Sequence, residues 1–204
     1  MELYYFETMN PRKVCVTAKY LDIPLDYHRI EAARGELTSP AHLERNPNGK
    51  VPVLVDGDLK LWESVAIMVH LANKANSSLW PSNDPAAQVE QLRWISWDLC
   101  QWAPITGQFY FEYLIKPKFF GSEPNSHALE QTAPSLHASA KVLDAHLANR
   151  EYVAGDSLSI ADFCLGVLLP YSQEIHLPLS DYANIQRWHD RLMKLEAWRN
   201  PWPS

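Results

Sequence analysis

The chain has 204 residues, of which 47% are hydrophobic and 21% charged, the balance of a folded globular protein and too apolar for a disordered one. Its formal charge of −6 removes the basic footprint of a nucleic-acid binder, and no run approaches the ~18 uncharged apolar residues of a membrane span. Cys15, Cys100 and Cys164 lie far apart and are odd in number, which suits a reducing compartment and offers neither a disulfide framework nor a metal site.

Along the chain, Glu2-Leu3-Tyr4-Tyr5-Phe6 is a short β-prone run. The segment lacks the long apolar core of a secretory signal, so a cytoplasmic location is expected. Pro11 opens a helical stretch in which Val14, Ala18 and Leu21 recur, closed by Ile23-Pro24; proline in a first turn loses no hydrogen bond. Leu25 to Ile30 reads as a second strand. Ser39-Pro40 starts a short helix that ends at the turn cluster Asn46-Pro47-Asn48-Gly49. Val51-Pro52-Val53-Leu54-Val55 and Leu59-Lys60-Leu61 flank Asp56-Gly57-Asp58, a hairpin signal. A helix with Ile67, Val69 and Leu71 follows Ser64 and runs to the Asn-Ser-Ser stretch at 76–78. The order β-α-β-α-β-β-α argues for a small mixed sheet with helices packed on it.

After Leu79-Trp80-Pro81 the alternation stops, and residues 82–88 read as a polar linker. Long helices are expected at roughly 85–116, 128–148, 159–174 and 182–197. In the first, Val89, Leu92, Ile95, Leu99 and Trp102 are expected to face the core, and Pro104 to kink the helix or end it for a turn. The chain therefore reads as an α/β domain over 1–80 and an all-α domain over 88–204. Eight tryptophans and 15 prolines suggest a stiff, aromatic-rich interior and a pocket with flat walls.

Three segments, in this order, resemble the cytosolic glutathione transferase superfamily. They are Thr8-Met9-Asn10-Pro11-Arg12-Lys13-Val14; then Asn46-Pro-Asn-Gly-Lys-Val-Pro-Val-Leu with Leu61-Trp62-Glu63-Ser64; then Tyr152-Val153-Ala154-Gly155-Asp156 running into Ser159-Ile160-Ala161-Asp162. The resemblance implies a thioredoxin-like first domain that binds glutathione and a helical second domain that receives a small hydrophobic electrophile. It implies no cofactor beyond glutathione as co-substrate, no bound metal and no nucleic-acid or membrane partner. A homodimer is expected, with the first domain of one chain on the long helices of the other.

The resemblance also predicts a cis peptide between Val51 and Pro52. Residue 51 then turns its backbone outward, and the cysteinyl part of glutathione pairs with it like another strand. The plainer alternative is a proline that starts an edge strand. Ser64 and the first amides of its helix form an anion cradle for the γ-glutamyl carboxylate, with Glu63 near the ammonium; Ser64 reads equally as an N-cap. Lys50 is a candidate for the glycine carboxylate or a solvated turn lysine.

Thr8 stands where many family members place a serine, and Thr8-x-Asn10 most resembles the bacterial nu- and theta-like and yeast prion-like branches, in which both side chains approach the sulfur. Thr8 as a plain helix cap and Tyr5 as the donor remain open. No cysteine occupies positions 8–11, which weighs against chemistry through an enzyme cysteine, and Cys15 reads as a buried apolar residue.

Trp94, Trp97 and Gln101 fall on one side of the helix after the linker and, with Tyr110, are the candidates for the electrophile; Phe109 and Tyr113 stand behind them. Asp98 is considered for a role across the dimer. His70 and His176 read as structural or surface residues, and Ser159-x-x-Asp162 as a capping box without a catalytic role. Two alternative functions are glutathione-dependent reduction of disulfides or peroxides, and a non-enzymatic regulatory protein on the same fold.

Overall fold

A computed structural model describes residues 1–203. The chain divides into two compact units, Met1–Asn83 together with the segment from Lys194 onward, and Asp84–Met193.

The first unit holds β1 (Glu2–Tyr5), α1 (Met9–Tyr20), β2 (Asp26–Arg29), α2 (Pro40–Arg45), β3 (Val53–Asp56), β4 (Leu59–Trp62) and α3 (Ser64–Lys74). The strand order is β2-β1-β3-β4, with β1 and β2 parallel and the other pairs antiparallel. β3 and β4 are joined by Gly57-Asp58, and Gly57 takes the positive φ that a two-residue hairpin demands. α1 and α3 pack together on the sheet, burying Leu3, Val14, Ala18, Leu54, Ile67, Met68 and Leu71. Asp22, at φ 52, takes the left-handed position that ends α1, and the Ile23 N–H then closes on the Ala18 carbonyl at 2.9 Å.

The second unit is helical: α4 (Pro85–Trp97), α5 (Ala103–Tyr110), α6 (Lys116–Phe120), α7 (Ser126–Leu147), α8 (Ile160–Leu165) and α9 (Ala183–Leu192). α4, α5 and α6 form one continuous helix, interrupted by π turns at Asp98–Trp102 and Phe111–Ile115. Pro104 and Pro117 each follow such a turn. A proline ring collides with the carbonyl four residues before it, and the wider π turn absorbs that collision, so the helix continues past Pro104.

Three expectations need correction. In α4 the buried residues are Gln91, Trp94, Ile95 and, just beyond it, Asp98, whereas Val89 is 65%, Leu92 47% and Leu99 53% exposed. Of the expected stripe, Ile95 and Trp102 are buried while Val89, Leu92 and Leu99 face outward, and periodicity alone cannot tell which apolar residues meet the core. The helix expected over 159–174 shortens to α8, because Gly166 and Pro170 break it. The helix expected over 182–197 stops at Leu192, and a separate α10 (Glu196–Arg199) packs on α1 in the first unit. No helix among the described residues is long and apolar enough to cross a membrane.

Candidate functional site

The register of the sheet brings three loop segments to one end. Tyr4 pairs with Val53, and Val53 pairs with Trp62. Continued past the last ladder pairs, the same registers set Phe6 opposite Val51 and Pro52 opposite Glu63. Phe6 and Val51 pack against one cluster with Tyr4, Ile30 and Val53. The end of β1, the start of β3 and the end of β4 thus share an edge two strand spacings wide, about 10 Å. An extended tripeptide spans about the same 10 Å.

Thr8 occupies the N-cap of α1 in an extended conformation (φ −139, ψ 171), yet its side chain makes no capping bond. Its hydroxyl donates only a long 3.4 Å bond to the Phe6 carbonyl. Asn10 follows in the first turn, exposed, and no acidic residue occupies that turn. The amides at the start of α1 keep their partial positive charge.

The loop before β3 is built by its own side chains. Val51–Pro52 is cis, and the ladder starts only at Val53. The Lys50 carbonyl accepts from Asn46 Nδ2 at 2.8 Å and from His42 Nε2 at 3.1 Å, so two buried side chains pin the backbone one residue before Val51. Asn46 Oδ1 in turn accepts the Asn48 N–H at 3.0 Å. Gly49 has φ +61, and a Cβ there would lie 3.1 Å from the Leu37 carbonyl oxygen, so only glycine fits. The Lys50 side chain is exposed.

At the third segment Glu63, not Ser64, is the N-cap of α3, and Ser64 is its first helical residue. Glu63 sits at φ 70, ψ 117, a region that costs a non-glycine residue about 1–3 kcal/mol and persists where the surroundings enforce it. Its side chain is exposed and caps nothing, while Ser64 is buried.

These two uncapped starts stand apart from the others. The Ala87 N–H bonds to Asp84 Oδ1 at the start of α4, the Ala128 N–H to Asn125 Oδ1 at the start of α7, and the Asn184 and Ile185 N–H groups to Asp144 Oδ1 at the start of α9. Among the described residues, α1 and α3 are the helices of eight residues or more that leave a loop without such a bond, and both begin at the edge that carries Val51–Pro52. The arrangement offers two clusters of backbone donors for anionic groups, a free peptide edge between them, and a hydroxyl beside the first cluster.

Family models for the glutathione S-transferase N-terminal domain and C-terminal domain match residues 1–73 and 103–196. A probable glutathione S-transferase from Oryza sativa subsp. japonica is 33% identical over 183 residues, covering 86% of this chain and 80% of the relative. The chain belongs to the glutathione S-transferase family. A solved glutathione S-transferase I from mais, in complex with an atrazine glutathione conjugate, superposes with a TM-score of 0.90 at 27% identity, over 98% of this chain and 95% of that one. A glutathione S-transferase-I bound with lactoylglutathione gives a TM-score of 0.90 at 28% identity, over 98% and 97%. These relatives include plant enzymes, so the bacterial nu- or theta-like branch suggested by Thr8-x-Asn10 is not singled out.

Within the transferase fold, the residues expected to receive the electrophile meet only in part. Trp94 and Trp97, ring centroids 5.4 Å apart, line a cavity of about 280 Å³ with Arg93, Val142 and His146. Gln101 is exposed, and Tyr110 is buried edge-on against Tyr171. At about 1.5 Å per residue, Tyr110 lies about 20 Å from Trp97 along one helix, beyond the reach of a single small cavity. Asp98 is buried, 1% exposed, within the π turn after α4.

Tyr5 is enclosed by Tyr27 and by Trp202, stacked at 6.0 Å, and burial raises its phenol above the ordinary value, which places it in the core. Cys15 is fully buried and its thiol is pushed up to about 12, so it supplies no thiolate at neutral pH. His70 bonds Asp56 at 2.9 Å on the hairpin, and His176 is exposed beside Tyr113. Among the described residues no cluster of three or more His, Cys, Asp or Glu is placed to hold a metal.

Asp162 is fully buried and accepts from Val153 N–H, Ser159 N–H, Ser159 Oγ and Trp188 Nε1 at 2.7–2.9 Å. Sequence reasoning missed three features: the His42–Asn46 grip on Lys50, the left-handed Glu63, and the Arg12 contacts described below. The turn cluster at Asn46 was a signal for the first, whereas no local pattern marks the other two.

Proposed function

We propose that glutathione lies extended along the β1–β3–β4 edge. Its cysteinyl backbone pairs with Val51 beside Pro52. Its γ-glutamyl carboxylate rests on Ser64 and the first amides of α3, with Glu63 near the ammonium, and Lys50 faces the glycine carboxylate. The sulfur then sits at the start of α1, where Thr8, seconded by Asn10, donates to it. A free thiol titrates near pH ~8.5, and each unit of lowering requires about 1.4 kcal/mol of preference for the thiolate. A hydroxyl hydrogen bond and the α1 amides supply that preference. The thiolate attacks an electrophilic carbon, a C–S bond forms, and the leaving group departs with its electron pair. The observation that carries this reading is that Thr8 stands at an N-cap position without capping, so its hydroxyl is available to the sulfur.

The activity is glutathione transfer, and the relatives favour neither reduction nor a regulatory role. The deciding experiment is a pH titration of the thiolate absorbance of bound glutathione, in the wild type and in Thr8→Ala. An inflection well below ~8.5 that rises in the variant is expected. A low inflection that the variant leaves unmoved transfers the role to Asn10 or to the helix start, and absence of binding overturns the reading.

The second substrate is a small hydrophobic electrophile held by the helical unit. Either the Trp94–Trp97 cavity or the Tyr110 region contacts it, and the electrophile KM of Trp97→Ala and of Tyr110→Ala names the one. The exposed Val89 and Leu92 on α4 and Leu99 in the following π turn, and separately Leu59 and Trp62 on β4, support a homodimer, because exposed apolar patches mark interaction surfaces. Light scattering that gives a monomer removes that part. A thiol co-substrate and three free cysteines suit the cytoplasm.

A further inference from the structure

α1 presents the thiol end of the proposed site, and what holds α1 comes from the far end of the chain. The Arg12 guanidinium is buried, donates from Nη2 to the Trp198 carbonyl at 2.5 Å, and lies 5.3 Å from the centre of the Trp198 ring. About two turns on, Lys19 Nζ donates to the Asn200 carbonyl at 2.6 Å. Trp202 stacks on Tyr5, the last residue of β1, at 6.0 Å and 19°. The 196–202 segment therefore grips both elements that flank Thr8. Arg12 is also the residue whose own amide makes the bond to the Thr8 carbonyl, at 3.0 Å, that starts the helix. Fixing the Arg12 side chain fixes the backbone turn that aims Thr8.

The grip is one-sided. Pro201, Trp202 and Pro203 border an open cavity of about 560 Å³ shared with Ala18, Lys19, Asp22 and Tyr27. Trp198 itself is fully buried, so the segment is anchored by packing, and the directed contacts from Arg12, Lys19 and Tyr5 set where α1 lies against that anchor.

We infer that residues 196–202 act as a clasp that positions the first turn of α1, with Arg12 as the positioning residue for Thr8 and the bound sulfur. This rests on the glutathione site proposed above. The arrangement is sensitive because a misplacement of about 1 Å can cost about 100-fold in a reacting geometry.

The test compares wild type with Arg12→Met, Arg12→Lys and Trp202→Ala, by amide hydrogen exchange over residues 9–14, the thiolate inflection of bound glutathione, and the KM of each substrate. Arg12→Met is expected to speed exchange in the first turn, to raise the inflection and to raise the glutathione KM about tenfold, with the electrophile KM unchanged; tenfold corresponds to about 1.4 kcal/mol. Arg12→Lys keeps a donor and recovers part of the loss. Trp202→Ala removes a half-buried side chain, keeps the test alive if Arg12→Met does not fold, and shifts the same readouts less. Folded variants with lowered stability but wild-type glutathione KM and inflection overturn the clasp. A wild type that binds no glutathione overturns the functional reading, and the inference with it.

Discussion

Two kinds of helix start use the same backbone chemistry to opposite ends, and in the first unit the short α2, capped by Ser39, sides with the helical unit. In the helical unit Asp84, Asn125, Asp144 and Asp162 each take up first-turn or adjacent N–H groups. At α8 nothing is left over: burial pushes the Asp162 carboxyl up, four donors pull it back, and the result is a closed joint. In the first unit Thr8 and Glu63 stand at N-caps and cap nothing. A satisfied helix start is a structural element, whereas the unsatisfied starts at the shared edge are the donors on which the proposed glutathione site relies. Each is stable for its own reason: the first through its hydrogen bonds, the second because packing on α1, α3 and the sheet holds it open.

Variants at the two kinds of start should separate cleanly. Asp162→Ala strands the Val153 and Ser159 amides and the Trp188 indole in a dry site, at about 1–3 kcal/mol per orphaned group. Urea unfolding should show a loss of about 3 kcal/mol or more, while the glutathione KM of the folded protein stays put; retained stability with lost turnover would reverse the assignment.

Thr8→Ala should do the converse. Steady-state kinetics should show kcat falling about 100-fold, as when one donor to a developing anion is removed. Stability should stay within about 0.5 kcal/mol, and a larger drop in the urea midpoint would make Thr8 a cap after all. Asp84→Ala should cost about 1 kcal/mol of stability and no activity.

The smallest effect concerns His146, whose ring lies 4.2 Å from that of Trp94 and whose pKa burial pulls below 6.5. Between the lowered folded value and 6.5 the unfolded chain binds a proton that the folded chain does not. Stability should therefore fall as pH drops below 6.5, and His146→Gln should flatten that slope in urea midpoints taken at two pH values.

Much of this was legible in the sequence because it is local. Asp56-Gly57-Asp58 made its hairpin and Ser159-x-x-Asp162 its closed joint, each a property of a few neighbouring residues, whereas the Val51–Pro52 cis bond was implied by the family resemblance. What escaped depends on partners distant in sequence. Val89, Leu92 and Leu99 have helical spacing, but spacing does not say which face meets the core. Trp94 and Tyr110 are both aromatic residues of one helix, yet the rise along it separates them. Nothing around Glu63 announces φ 70, since the conformation is imposed by the junction of β4 with α3. Arg12 reads as an ordinary helix cation until Trp198 lies beside it.

That last contact spans 186 positions and sets an order of events during synthesis. The N-terminal portion of a nascent chain emerges first and generally folds first. Here the thioredoxin-like sheet, α1 and both uncapped helix starts leave the ribosome early, but Trp198, Asn200 and Trp202 follow only after the whole helical unit has been made. The first unit is therefore finished last. An isolated fragment ending near residue 83 would carry every proposed glutathione contact and still lack the residues that hold α1 in place.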